Sequence, residues 1–205
     1  MPSTTTTPHL CSAWAKLLFL RDAGDTEIGG FGISAKDDLL LVEDIELVTQ
    51  ECTWVHVAFD DEAVADLFER QVVAGRRPEE FARIWIHAHP GRSADPSGTD
   101  EATFERVFGR SDWAIMSIVA RGGQTYARLR CIVGPGADVN LPVEIEYDQP
   151  FAGSDFSAWQ AEYEKNVRVP PPEPELIKRP TTSALQSDEL DLDHGGWWRD
   201  SWRDY

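Results

Sequence analysis

The stretch Arg83-Ile84-Trp85-Ile86-His87-Ala88-His89-Pro90-Gly91-Arg92-Ser93-Ala94-Asp95-Pro96-Ser97-Gly98-Thr99-Asp100 decides how this chain is read. Arg83–His87 has the β-branched and aromatic content of a short strand. Side chains at i and i+2 of a strand leave the same face, so His87 and His89 can converge on one ion. Pro90-Gly91 and Pro96 then force a loop, which lets the chain fold back and bring Asp100 beside the histidines. Asp100 falls in the first turn of a helix starting near Ser97–Asp100, a rigid support for a ligand. Two imidazoles and a carboxylate are three ligands, the number a catalytic zinc takes while keeping a fourth position open. A structural zinc would want four closed ligands, usually rich in Cys, and no Cys stands near this segment.

On either side of this segment, strands and helices interleave. Strands are expected at Trp14–Arg21, Leu39–Thr49, Trp54–Phe59, Trp113–Ala120, Thr125–Val133 and Leu141–Tyr147, with a short apolar segment over Glu27–Ser34. Gly122-Gly123 turns two of them into a hairpin. Asp60-Asp61-Glu62 places acidic residues at the positive end of a helix running to about Ala74, with Gly75 past its finish. Phe104, Val107 and Phe108 mark the buried side of the helix after the metal segment. The expected fold is therefore α/β, a sheet covered by helices, with the first dozen residues a flexible lead-in.

Composition changes after Pro150. Ser157–Val167 has the pattern of one helix, Pro170-Pro171-Pro172-Glu173-Pro174 reads as an extended spacer, and residues 168–205 as a largely disordered acidic tail. Trp197, Trp198 and Trp202 in that tail are costly to expose and suit a docking motif or self-association. A formal net charge of -17 argues against nucleic acid and anionic membranes as partners and favours a basic or neutral macromolecule. Cys11, Cys52 and Cys131 are scattered and odd in number, as in a reducing compartment. No apolar run reaches the roughly 18 residues of a membrane span, and no cationic leader precedes an apolar core. A cytoplasmic location is expected.

Other hydrolases also use His-x-His. A metallo-β-lactamase-type site wants HxHxDH, whereas Pro90-Gly91-Arg92 follows His89 here. An amidohydrolase barrel needs about 250 residues for its eight βα units. The string His87-Ala88-His89-Pro90, then Ser97 and Asp100, instead closely resembles the JAMM (MPN+) motif of zinc-dependent deubiquitinating isopeptidases and their prokaryotic relatives. That pattern also has an upstream Glu, matched by Glu27-Ile28-Gly29-Gly30-Phe31-Gly32-Ile33. The resemblance covers about residues 12–148, so residues 12–150 are expected to form the JAMM/MPN domain, a cytidine-deaminase-like mixed sheet flanked by helices.

The resemblance implies Zn2+ held by His87, His89 and Asp100. Glu27 would be the general base that activates water, and Ser97 would donate a hydrogen bond to the tetrahedral oxyanion. Ser97 also suits the helix N-cap, and the two roles use different groups. His56 reads as a strand residue without a site role. Two departures stand out: Ala88 replaces the family's usual Ser or Thr, and the chain between Asp100 and Trp113 is too short for the insertion of specialised eukaryotic members. The implied substrate is the amide bond after the C-terminal tail of a ubiquitin-like protein, held extended along a sheet edge. A non-catalytic interaction module, or a small-molecule amidase or sulfur-carrier-processing hydrolase on the same scaffold, are the other readings.

Overall fold

A computed structural model describes residues 7–151 and 153–171. The region expected to be a disordered tail, with Trp197, Trp198 and Trp202, lies outside the described residues from Pro172 onward. The elements run β1 (Thr7–Leu10), α1 (Cys11–Asp22), β2 (Ile28–Ser34), β3 (Val42–Glu46), β4 (Gln50–Thr53), β5 (His56–Phe59), α2 (Asp61–Val73) and α3 (Pro78–Phe81). They continue with β6 (Ile84–His89), α4 (Gly98–Phe108), β7 (Trp113–Ala120), β8 (Thr125–Cys131), β9 (Ala137–Asn140), β10 (Val143–Glu146), α5 (Phe156–Asn166) and β11 (Val167–Arg168).

Two mixed sheets result. The larger has the order β10-β1-β3-β2-β6-β7-β8-β9, the smaller β11-β4-β5. In the larger sheet β2 runs antiparallel to β6, and β6 parallel to β7. These three strands are buried along nearly their whole length, as expected where both sheet faces are covered.

The alternation along β6 separates two cores. Ile84, Ile86 and Ala88 join Ala13, Leu17, Leu20, Val42 and Ile45 in the core beneath α1. Trp85 points the other way and packs with Phe104 and Phe108 of α4, along with Phe31 and Phe59. With a period of two, His87 and His89 share the face of Trp85, the face covered by α4. The helix carrying Asp100 therefore lies over the strand carrying both histidines.

The structure corrects the sequence reading at several elements. Residues 14–21 are helical within α1 and not a strand. Ala13, Leu17 and Leu20 recur at helical spacing and are all buried, but a short apolar run does not distinguish strand from helix until its neighbours are known. The lead-in contains β1, which pairs in parallel with β10 (Thr7 with Val143) and with β3 (His9 with Val42). Those partners are remote in sequence, so no local pattern announces the strand. The expected Leu39–Thr49 strand shrinks to β3, and β5 begins only at His56 because Trp54 and Val55 form an exposed turn. The short helix α3, with Pro78 at its first position, was not expected.

The described domain extends beyond Pro150. Trp159 of α5 packs against Phe19 of α1 at 5.7 Å between ring centroids. Lys16 Nζ lies 3.1 Å from Asp44 Oδ1 and 2.7 Å from Glu162 Oε2, joining α1, β3 and α5. Burial lowers the Lys16 pKa, but the two carboxylates outweigh it and leave the ammonium above its ordinary value. Arg168, expected at the start of the tail, belongs to β11 and pairs with Glu51 of β4. The described residues up to Pro171 belong to one compact unit. Among the described residues, no helix is long and apolar enough to cross a membrane.

Candidate metal centre

Three segments deliver the site. β6 presents His87 and His89, the first turn of α4 presents Asp100, and the residue just before β2 presents Glu27. Gly29 is paired with His87 and Ile28 with Ala88, so the end of β2 is held directly beside the histidine strand. One potential ligand atom from each of Glu27, His87, His89 and Asp100 lies within 4.8 Å of every other. All four residues are buried, with whole-residue relative exposures of 6%, 1%, 9% and 2% in that order.

His87 Nε2 lies 3.2 Å from Glu27 Oε2 and 3.3 Å from Asp100 Oδ1. His89 Nε2 lies 3.7 Å from Glu27 Oε1 and 3.5 Å from Asp100 Oδ2. Glu27 Oε2, His87 Nε2 and His89 Nε2 are buried without a hydrogen-bond partner. Buried polar atoms are nearly always paired, and leaving one unpaired costs about 1–3 kcal/mol. Three such atoms converging on one point fit a cation between them.

The tautomer of His89 supports the same reading. Its Nδ1 lies 2.9 Å from the Ser93 carbonyl oxygen, which can only accept, so Nδ1 carries a proton. In the neutral ring that leaves the Nε2 lone pair facing two carboxylates, an unfavourable arrangement without a cation or a proton there. Burial lowers the His89 pKa, yet the Asp100 carboxylate close to Nε2, the hydrogen bond to Ser93 and the Glu27 charge raise it above the usual histidine value. For Asp100, burial pushes upward, but His89, the His87 charge and the Ser97 hydrogen bonds hold the carboxyl at about 2. Asp100 is thus ionised throughout the neutral range, as a metal ligand requires.

Ser97 and Asp100 form a reciprocal capping box at the start of α4. Ser97 N donates to Asp100 Oδ2 at 2.6 Å, and Asp100 N donates to Ser97 Oγ at 3.2 Å. This pair satisfies two orphan amides of the helix terminus and fixes the Asp100 rotamer. Ser97 is itself exposed. Its hydroxyl accepts from the cap, which leaves its own O–H free to donate.

His56 lies on β5, outside this cluster, and His9 on β1 at the far side of β3. Trp85 lies against the site, its ring tilted by 51° to that of His87 at 4.9 Å between centroids, and His87 in turn sits edge-on to His89 at 4.8 Å. Gly29 must lack a side chain because a Cβ there would lie 2.9 Å from Phe59 and 3.0 Å from Trp85 Nε1. Sequence reasoning did not anticipate the Ser93 carbonyl or the β4 strand beside Glu27. Backbone acceptors leave no residue-type signal, and β4 became visible only once its partners were placed.

Cys52 on β4 is fully buried, and its thiol is pushed up to about 12 by burial, with Glu27 and Glu51 adding to the effect. Because the thiolate is the reactive form, Cys52 is expected to resist iodoacetamide at pH 8 in the folded protein. Mass spectrometry should find label only on the half-buried Cys11 and Cys131 until the chain is unfolded. Labelling of Cys52 in the native protein would contradict this burial. Comparison with known proteins finds no matching family model and no curated protein that matches the chain.

Proposed function

We propose that the protein is a zinc-dependent peptidase or isopeptidase of the JAMM/MPN type, acting on the amide bond after the C-terminal tail of a ubiquitin-like protein. The observation that carries this reading is the buried convergence of Glu27, His87, His89 and Asp100, with unpaired nitrogen and oxygen atoms facing one point. Two imidazoles and a carboxylate are the donor set of a catalytic zinc site. His87, His89 and Asp100 would hold the ion, leaving Glu27 as the additional carboxylate.

Zinc, when bound, supplies Lewis acidity that polarises the scissile carbonyl and lowers the pKa of water toward about 7. Glu27 then takes the proton of the attacking water and returns it to the leaving amine. The Ser97 hydroxyl donates to the oxyanion that develops on the carbonyl oxygen. Asp100 stays charged and fixed by its cap, and Ser93 holds the His89 ring in the orientation that offers Nε2.

Access also favours a slender substrate. Of the four side chains, His89 is the most exposed, at 11%, so bulky groups beside the scissile bond would not reach the cluster. A tail ending in Gly-Gly has no such groups. Strands β2 and β6 are interior to the sheet, each between two neighbouring strands, so the extended tail would lie against some other edge.

The test combines metal analysis with cleavage. The purified protein is expected to hold about one zinc per chain and to cleave a ubiquitin-like protein fused through Gly-Gly to a reporter. Chelation should abolish cleavage, and added zinc should restore it. Acidification should release the metal, because His89 retains a proton to a higher pH than an ordinary histidine and protons compete with the ion for Nε2. Protein without zinc that also fails to take it up would refute the metal assignment; a zinc-loaded protein inactive on every such fusion would refute the substrate class.

A further inference from the structure

We propose that Gln50 is a positioning residue, holding the end of β2 so that Glu27 stands in reach of the metal cluster; this rests on the reading of Glu27 as the base. Strand β3 flanks β2 only as far as the Phe31–Glu46 pair, and then diverges. Gly29, directly opposite His87 on the β6 side, therefore has no strand partner on the β3 side. The side chain of Gln50 takes that place. Its Oε1 accepts from Gly29 N at 2.8 Å, and its Nε2 donates to Gly29 O at 2.7 Å.

This is the two-bond pattern of a β ladder, supplied by a side-chain amide in place of a peptide. The remaining valences of Gln50 are also filled. Nε2 donates to Val48 O at 3.0 Å, and Oε1 accepts from Cys52 Sγ at 3.3 Å. With both donors and both acceptor sites used and only 1% of the residue exposed, the amide has one orientation. Three residues along the same strand, Thr53 O accepts from Glu27 N at 2.8 Å. Strand β4 thus grips β2 on both sides of Ile28, at Glu27 and at Gly29, while β6 fixes its other edge. The Glu27 carboxylate is held 3.2 Å from His87 Nε2 by this double attachment.

Gln50 touches none of the three proposed ligands, which predicts a separation between binding and turnover. Gln50→Met keeps the length of the side chain and removes all of its strong hydrogen bonds. In the full-length, zinc-loaded protein it is expected to leave zinc stoichiometry and KM unchanged and to lower kcat on the order of 10- to 100-fold, the effect of a small misplacement of a reacting group. Hydrogen exchange followed by NMR supplies a readout independent of turnover: the Gly29 amide should be protected in the natural protein and exchange at least about tenfold faster in the variant, the equivalent of losing one hydrogen bond. Fast exchange at Gly29 in the natural protein would overturn the proposal without any variant. Unchanged kcat despite faster exchange would show the role to be structural only, and loss of zinc together with kcat would show that Gln50 acts on the ligands; either overturns it. Gln50→Glu, which keeps the acceptor for Gly29 N and loses both donors, serves the same comparison if Gln50→Met does not fold. If the exchange result holds but the natural protein cleaves no amide, the peptidase reading fails while the anchoring of β2 stands.

Discussion

Glu27→Gln is expected to reduce kcat for Gly-Gly-linked amide cleavage by about 10²–10⁴-fold, the usual contribution of a general base, with zinc content unchanged. The replacement is isosteric, so it disturbs neither the Glu27 N–H bond to Thr53 nor the packing of a side chain that is 6% exposed. It removes the negative charge and with it the capacity to accept a proton, and turns one carboxylate oxygen into an NH2 donor. Glu27 Oε2 has no hydrogen-bond partner, which leaves that oxygen available to a water molecule. His87, His89 and Asp100 remain as three ligands, enough for a catalytic zinc. The decisive measurement is zinc per chain alongside steady-state cleavage. Retained zinc with lost turnover assigns Glu27 to proton transfer; loss of both would make it a fourth ligand, and full activity would remove it from the chemistry.

Trp85→Ala carries the largest expected cost to stability, about 3–5 kcal/mol from the cavity and lost burial. Against a typical total of 5–15 kcal/mol, that is enough to unfold a marginal domain near body temperature. Trp85 is 1% exposed and sits at the centre of the α4 face. It lies 6.3 Å from Phe104 and 6.4 Å from Phe108 in near-parallel stacks, and it supports the His87 ring from below. Its indole N–H has no partner, so Trp85→Phe leaves no polar group stranded and should cost clearly less. Urea unfolding of the natural protein and both variants checks this, with the midpoint falling in the order natural, Phe, Ala. An Ala variant within 1 kcal/mol of the natural protein would show that the α4 face repacks.

The site was more legible in the sequence than the fold around it. His87, His89 and Asp100 were visible because a strand period, a proline-broken loop and a helix start act within eighteen residues, and each has a local signature. Ser97 was visible as a cap for the same reason, and the structure places it in a capping box with Asp100. Glu27 has no such context: it is one of many acidic residues, and only its resemblance to a known motif singled it out. What brings it to the histidines is the β2–β6 pairing across some sixty residues, which no local window contains. Residues 14–21 were misread for a related reason. Leu17 and Leu20 are buried in the core that α1 shares with β3 and β6, and the choice between helix and strand there belongs to those contacts. Gln50 shows the limit most plainly, since a glutamine between Thr49 and Glu51 gives no sign that its side chain completes a sheet.

The pairing of β1 with β10 has a consequence for how this chain is made. The strand that begins at Thr7 finds its main partner at Val143, and at an elongation rate of 5–20 residues per second the ribosome delivers that partner on the order of ten seconds later. Through that interval the β3 side of the sheet stands with an incomplete edge, the kind of surface on which nascent chains associate wrongly. The small sheet waits longer still, because β11 is the last described element to emerge and β4 is its neighbour. Strand β4, which holds Glu27 and Gly29, is made before the segment carrying His87, His89 and Asp100, so these parts of the cluster can be joined while β4 still lacks its β11 neighbour.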